Sequence, residues 1–128
     1  MSTTILVVDD NPTNLKLFSD LLQFEGHKIL KAVDAEAAQI VLADTLPELI
    51  LMDIALPGMD GLTLTRKLKA NERTRHIRVV ALTAFAMKGD DQKALDAGCD
   101  GYITKPIDTR TFPSQVMEFM ARPDSTTL

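Results

Sequence analysis

At 128 residues with a formal net charge of −4, the chain has room for one ordinary domain with its own core, and is too short for a catalytic domain beside an effector domain. An apolar share of 45% and a charged share of 25% fit a globular protein, no apolar run approaches the ~18 residues that cross a bilayer, and the surplus of acid disfavours nucleic acid as a general partner. A single cysteine, Cys99, excludes an internal disulfide, supplies too few ligands for zinc, and is expected as a small core residue.

The N-terminus has no secretory pattern, because Met1 to Thr4 carry no positive charge and the apolar run after them ends in two aspartates. A cytoplasmic protein is the expectation, and the Met1 start with a polar tail points to a whole one. The first strand is expected over about residues 4–8. Asn11 then reads as a helix N-cap and Pro12 as the first helical residue, followed by Leu15, Phe18, Leu21 and Leu22 at helical spacing, with Gly26 placed to end the helix. A second strand near Lys28 to Ala32 leads to Asp34, an N-cap for an alanine-rich helix that ends before Pro47. The third strand, Glu48 to Asp53, holds four consecutive apolar residues, as expected of a strand covered by helices on both faces.

Pro57-Gly58-Met59-Asp60-Gly61 is turn chemistry, and a helix follows to about Ala70. Arg66, Lys67, Lys69, Arg73, Arg75 and Arg78 crowd the end of that helix and the loop beyond, with Glu72 as the only acid among them. They read as cations suited to a helix C-terminus and a solvated face, with docking as the alternative. A fourth strand, Arg78 to Thr83, precedes a helix over roughly Met87 to Ala97 that Gly98 terminates. The fifth strand reaches Thr104, and a last helix is expected from about Asp108 to before Pro123, starting late or bending because Pro113 lacks an N–H. Residues 1–122 form the expected domain and 123–128 a frayed tail. Lone His27 and His76 read as surface residues.

Regular alternation of strand and helix implies an α/β fold: a doubly wound, five-stranded parallel sheet of flavodoxin-like (βα)5 type, strand order 2-1-3-4-5. Ligands then bind beyond the carboxyl ends of strands 1 and 3, where Asp9, Asp10 and Asp53 fall. Strands about 4.8 Å apart allow these carboxylates to share one cation, and oxygen-only donors around a small cleft suit magnesium. Lys105 ends the fifth strand, about 10 Å from Asp53 across two strand spacings, a gap its side chain largely bridges. Thr83, ending the strand between them, offers a hydroxyl to the same place.

Val7-Val8-Asp9-Asp10-Asn11, Leu51-Met52-Asp53-Ile54 with the turn 57–61, Ala81-Leu82-Thr83-Ala84 and Tyr102-Ile103-Thr104-Lys105-Pro106 together resemble the motif set of response regulator receiver domains, over residues 4 to about 121. Phe85 to Asp90 is similar to DivK-type single-domain regulators, and also to receivers of hybrid kinases. The resemblance implies a receiver of a two-component phosphorelay. Asp53 would accept a phosphoryl group from a phosphohistidine on a histidine kinase or phosphotransfer protein. Asp10, Asp53 and the backbone carbonyl of Ala55 would bind Mg2+, or Mn2+ in its place, with Asp9 helping through a water. Lys105 would pair with the phosphoryl oxygens, aimed by a cis Lys105-Pro106 bond. Thr83 and Tyr102 would form the switch, and a protein target would read the surface of helix 4, strand 5 and helix 5. The resemblance implies self-catalysed chemistry on Asp53 rather than turnover of an external substrate, no membrane or direct nucleic-acid contact, and a monomer or weak dimer. The resemblance also implies that Ala55 and Phe85 occupy positions that tune water access to the acyl phosphate.

Three rivals stand beside this reading. A flavin binder of the same fold needs a Ser/Thr/Gly-rich phosphate loop where Asp9-Asp10 stands. An aspartyl-nucleophile hydrolase needs an acid where Ala55 stands. A phosphorylation-independent adaptor, or a receiver excised from a hybrid histidine kinase, is the remaining alternative.

Overall fold

Strand and helix alternate along the chain in the computed structural model, which describes residues 3–56, 58–83, 90–104 and 107–121, with backbone alone at 90, 91 and 121. The elements are β1 (Thr4–Val8), α1 (Pro12–Phe24), β2 (Lys28–Ala32), α2 (Ala35–Asp44), β3 (Leu49–Asp53), α3 (Gly61–Ala70), β4 (Arg78–Thr83), α4 (Asp90–Asp96), β5 (Gly101–Thr104) and α5 (Phe112–Ala121). The strands pair in parallel in the order β2-β1-β3-β4-β5, the flavodoxin-like doubly wound sheet that the alternation implies. Pro57, the segment 84–89 that includes Phe85 and Met87, Lys105 with Pro106, and the tail lie outside the described residues.

Side chains alternate across a strand, and here the alternation sorts the core into two layers. Leu6, Val8, Ile50, Met52, Val79 and Ala81 pack with Leu42 of α2, Leu64 and Leu68 of α3 and Ala94 of α4. Ile5, Val7, Leu49, Leu51, Val80 and Leu82 pack with Leu15, Phe18 and Leu22 of α1 and Phe112 and Val116 of α5. The rings of Phe18 and Phe112 meet at 5.3 Å between centroids, which joins α1 to α5. All five residues of the central strand β3 are buried, Asp53 included.

Two helix starts follow the expected caps, Asn11 and Asp34, and Asp60 caps a third. Asn11 Oδ1 accepts the N–H groups of Thr13 and Asn14 at 2.9 and 3.2 Å, Asp34 Oδ1 that of Ala37 at 2.8 Å, and Asp60 Oδ1 that of Thr63 at 2.8 Å. Each cap stabilises its helix by about 1 kcal/mol. Gly26 and Gly98 take φ of 94° and 104° beyond α1 and α4, the left-handed turn that glycine adopts without strain.

The late start allowed for the last helix is found, and two other details differ from the sequence reading. The last helix begins at Phe112, because Asp108 first closes a turn: its carbonyl accepts from Thr111 and Phe112 at 3.1 and 2.9 Å, and its Oδ1 from the N–H of Arg110 at 2.9 Å. Pro113 becomes the second helical residue, where no N–H is needed. His27 is buried, drawn in where its N–H donates to Leu22 O at 3.2 Å before β2 begins. The basic run is not uniformly solvated: Lys69 Nζ donates to Ile77 O at 2.7 Å, Arg75 O at 3.3 Å and Asp100 Oδ2 at 3.0 Å, and Arg73 Nη2 to Ala43 O at 3.2 Å. Cys99 is a buried core residue, as its type suggested.

Candidate functional site

The register of the sheet builds the site. Ile5 pairs with Leu49 and Val7 with Leu51, so continuing the ladder by one alternation carries Asp9 opposite Asp53 at the carboxyl end of the sheet. Asp10 follows directly, outside β1, and is exposed, whereas Asp9 is wholly buried and Asp53 is 5% exposed. One carboxylate oxygen from each of the three lies within 4.8 Å of the others.

Backbone amides hold the two buried carboxylates. Asp9 Oδ1 accepts the N–H of Asn11 at 2.9 Å, while the N–H of Asp9 donates to Ala32 O of β2 at 3.1 Å. Asp53 Oδ1 accepts the N–H of Ala55 at 2.9 Å. The chain leaves β3 with the N–H of Ile54 on Leu82 O of β4, at 3.3 Å. Gly58, with φ of 71°, supplies the turn that returns the chain to α3.

Three anions this close repel unless a cation lies among them. The donors are all carboxylate oxygens, two buried and one exposed, a set that fits a small hard divalent cation in a partly hydrated site. The residues present thus suit Mg2+.

Of the other expected site residues, Thr83 closes β4 and is 2% exposed, one position past Leu82, the pairing partner of Asp53. Thr83 itself pairs with Thr104, and Tyr102 pairs with Ala81, two residues back from the sheet edge. Tyr102 as a residue is 40% exposed. Ala55 is exposed beside Asp53. Lys105, Pro106 and Phe85 belong to the segments outside the described residues, so their place at the site is not drawn. What the sequence reading missed is the part played by Asn11 and Ala55 as amide donors. An aspartate two residues before a donor in a strand-exit turn is the signal that would have found both.

A family model for the response regulator receiver domain matches residues 5–117. The polar-differentiation response regulator DivK of Brucella ovis is 40% identical over 120 residues, covering 94% of this chain and 98% of its own. A response regulator structure from Chloroflexus aurantiacus superposes with a TM-score of 0.90 at 27% identity, over 95% of this chain and 100% of that one. The receiver domain of a Pseudomonas aeruginosa sensor histidine kinase, described with a magnesium ion coordinated in its active-site cleft, matches with a TM-score of 0.85 at 30% identity, over 95% and 100% of the two chains. With a match that runs almost end to end and an acidic cluster at the sheet edge, the chain belongs to the response regulator receiver family of two-component signalling, and is DivK-like within it.

Proposed function

We propose that the chain is a phosphoryl-accepting switch whose acceptor is Asp53. The observation that carries this is the buried Asp53 carboxylate at the end of the central strand, with oxygens of Asp9 and Asp10 within 4.8 Å. An oxygen of Asp53 attacks the phosphorus of a phosphohistidine on a kinase or phosphotransfer protein. The P–N bond breaks, its electron pair stays on the imidazole nitrogen, and Asp53 becomes an acyl phosphate. Asp10, Asp53 and the Ala55 carbonyl, with support from Asp9, would hold Mg2+ or Mn2+, which would supply charge neutralisation for the carboxylates and the phosphoryl oxygens. The hydrogen bond from the Ala55 N–H orients the Asp53 carboxylate at the strand end.

Lys105, which lies outside the described residues, is the cation this reading assigns to neutralise the phosphoryl group. Thr83 donates its hydroxyl to the new phosphoryl oxygens, and Tyr102 turns inward into the space so left. Its exposure in this structure fits the unphosphorylated arrangement. Phosphorylation biases a two-state equilibrium that already exists, and a protein partner reads the α4-β5-α5 face. The chemistry is confined to the chain's own Asp53, with no external substrate turned over. Among the described residues no helix is long and apolar enough to cross a membrane, and action in the cytoplasm as a monomer or weak dimer accords with this reading.

Incubation with phosphoramidate, with and without magnesium, followed by intact-mass measurement tests the proposal. A magnesium-dependent gain of one phosphoryl group, absent in Asp53→Asn, supports it. No gain under either condition favours a phosphorylation-independent adaptor.

A further inference from the structure

Gly61 begins α3 and is buried against the strand end that carries the acceptor. Its φ is not positive, so the reason for glycine here is space. A Cβ at this position would overlap the backbone oxygen of Asp53 and stand 2.9 Å from both Ile54 Cα and Met52 Cγ. Two of those three neighbours are backbone atoms, which have no rotamer through which to retreat. The seat is further fastened by hydrogen bonds: the N–H of Gly61 donates to Ile54 O at 3.2 Å, and Thr65 Oγ1 donates to Gly61 O at 2.8 Å. Asp60 closes the start of the helix by accepting from Thr63.

The consequence reaches the site through residues 53–55. Ala55 holds Asp53 Oδ1 at 2.9 Å, and the direction in which the chain leaves Asp53 is fixed by the α3 N-terminus resting on it. We infer that Gly61 is a positioning residue for the acidic cluster: its lack of a side chain allows α3 to sit on the Asp53 backbone and so sets the Asp53 carboxylate against those of Asp9 and Asp10. As far as phosphoryl transfer goes, this inference rests on the function proposed above. As far as cation binding goes, it stands on the geometry alone.

The test compares Gly61→Ala with Leu68→Ala, which loosens the same helix two turns away from Gly61. Magnesium chloride affinity is measured by titration calorimetry, phosphorylation rate with phosphoramidate by intact mass, and stability by thermal melting. Gly61→Ala is expected to lower magnesium affinity by about tenfold or more, as loss of an outer supporting contact does at metal sites, while Leu68→Ala stays within about twofold even when it melts lower. Normal magnesium affinity in Gly61→Ala overturns the inference. If Gly61→Ala does not fold, Thr65→Val decides. Removal of the hydroxyl that holds Gly61 O should lower magnesium affinity several-fold, and an unchanged affinity is the overturning result. Parent protein that binds magnesium but takes up no phosphoryl group sinks the functional reading alone, since the affinity comparison still judges Gly61.

Discussion

Asp9 and Asp53 are fixed by one backbone device used twice. Each carboxylate accepts the N–H of the residue two positions on, Asn11 and Ala55, at 2.9 Å in both cases, and the register of β1 on β3 sets the two turns side by side. Both carboxylates are thereby oriented by the backbone, and their closeness favours a cation among them. Such an arrangement gains by binding a cation and loses by losing it.

Asp53→Asn is expected to abolish phosphoryl uptake while the fold survives, because an asparagine oxygen can still accept from Ala55. It also removes one of three crowded charges, so melting in EDTA should be unchanged or slightly higher than in the parent. Magnesium at about a hundred times its Kd should stabilise the parent by about 2.7 kcal/mol. The asparagine variant should show much less, a comparison made by thermal melting with and without the ion.

Tyr102 is the sole tyrosine of a chain without tryptophan, and it is partly exposed on β5. Its fluorescence therefore reports on one position. Phosphorylation, or a beryllofluoride mimic, should reduce quenching by acrylamide as the ring turns inward, and Thr83→Ala should keep phosphoryl uptake but lose this change. Equal quenching in both states of the parent would refute the switch role.

Lys69→Met removes a cation that serves three acceptors on two loops and leaves Asp100 with only part of its partners. A loss of about 2 kcal/mol is expected, seen as a melting temperature roughly 6–10 °C lower. Lys16→Met is the control. Its pair with Asp20 spans 2.8 Å, but both side chains are more than half exposed, at 76% and 53%, so no measurable loss should follow.

Cys99 lies in the core, where burial pushes its thiol above the ordinary value and the Thr65 hydroxyl pulls weakly the other way. The native thiol thus binds its proton more tightly than the unfolded one. Its contribution to stability is full below the unfolded thiol's value of about 8.5 and is lost as pH rises through the higher native one. Cys99→Ala should show a shallower fall of stability on the alkaline side in denaturant titrations. Native Cys99 should also react with a soluble disulfide reagent only at the rate of unfolding.

Much of the fold was legible because its signals are local. Asn11-Pro12 and Asp34 announce helix starts that hydrogen bonds bear out, and apolar runs ending in aspartate mark strands whose parallel order follows from the alternation. The cluster of Asp9, Asp10 and Asp53 was legible for the same reason, since strand ends in a parallel sheet share an edge. What stayed hidden depends on distance along the chain. Lys69 finds its carboxylate partner 31 residues away, which no window of sequence reveals, so it read as one more surface cation. His27 lacks any periodic neighbour to signal burial. Gly61 read as a turn residue beside Gly58, but only Gly58 adopts a positive φ. The demand on Gly61 comes from the strand above it, a tertiary contact with no trace in local propensity.

The fastening around Asp100 has a mechanical meaning for the sheet. Asp100 joins β4 to β5 at their amino ends twice over: its N–H donates to Val79 O at 2.7 Å and its Oδ2 accepts the N–H of Val79 at 2.8 Å, with Lys69 clamped on the same oxygen atom. Thr83 and Thr104 stand at the opposite ends of these two strands. The ladder between β4 and β5 runs from Val80–Gly101 to Thr83–Thr104, so this extra fastening makes the amino ends the firmer half of the pair, and a strain applied at Thr83 meets fewer bonds than one applied at Val79.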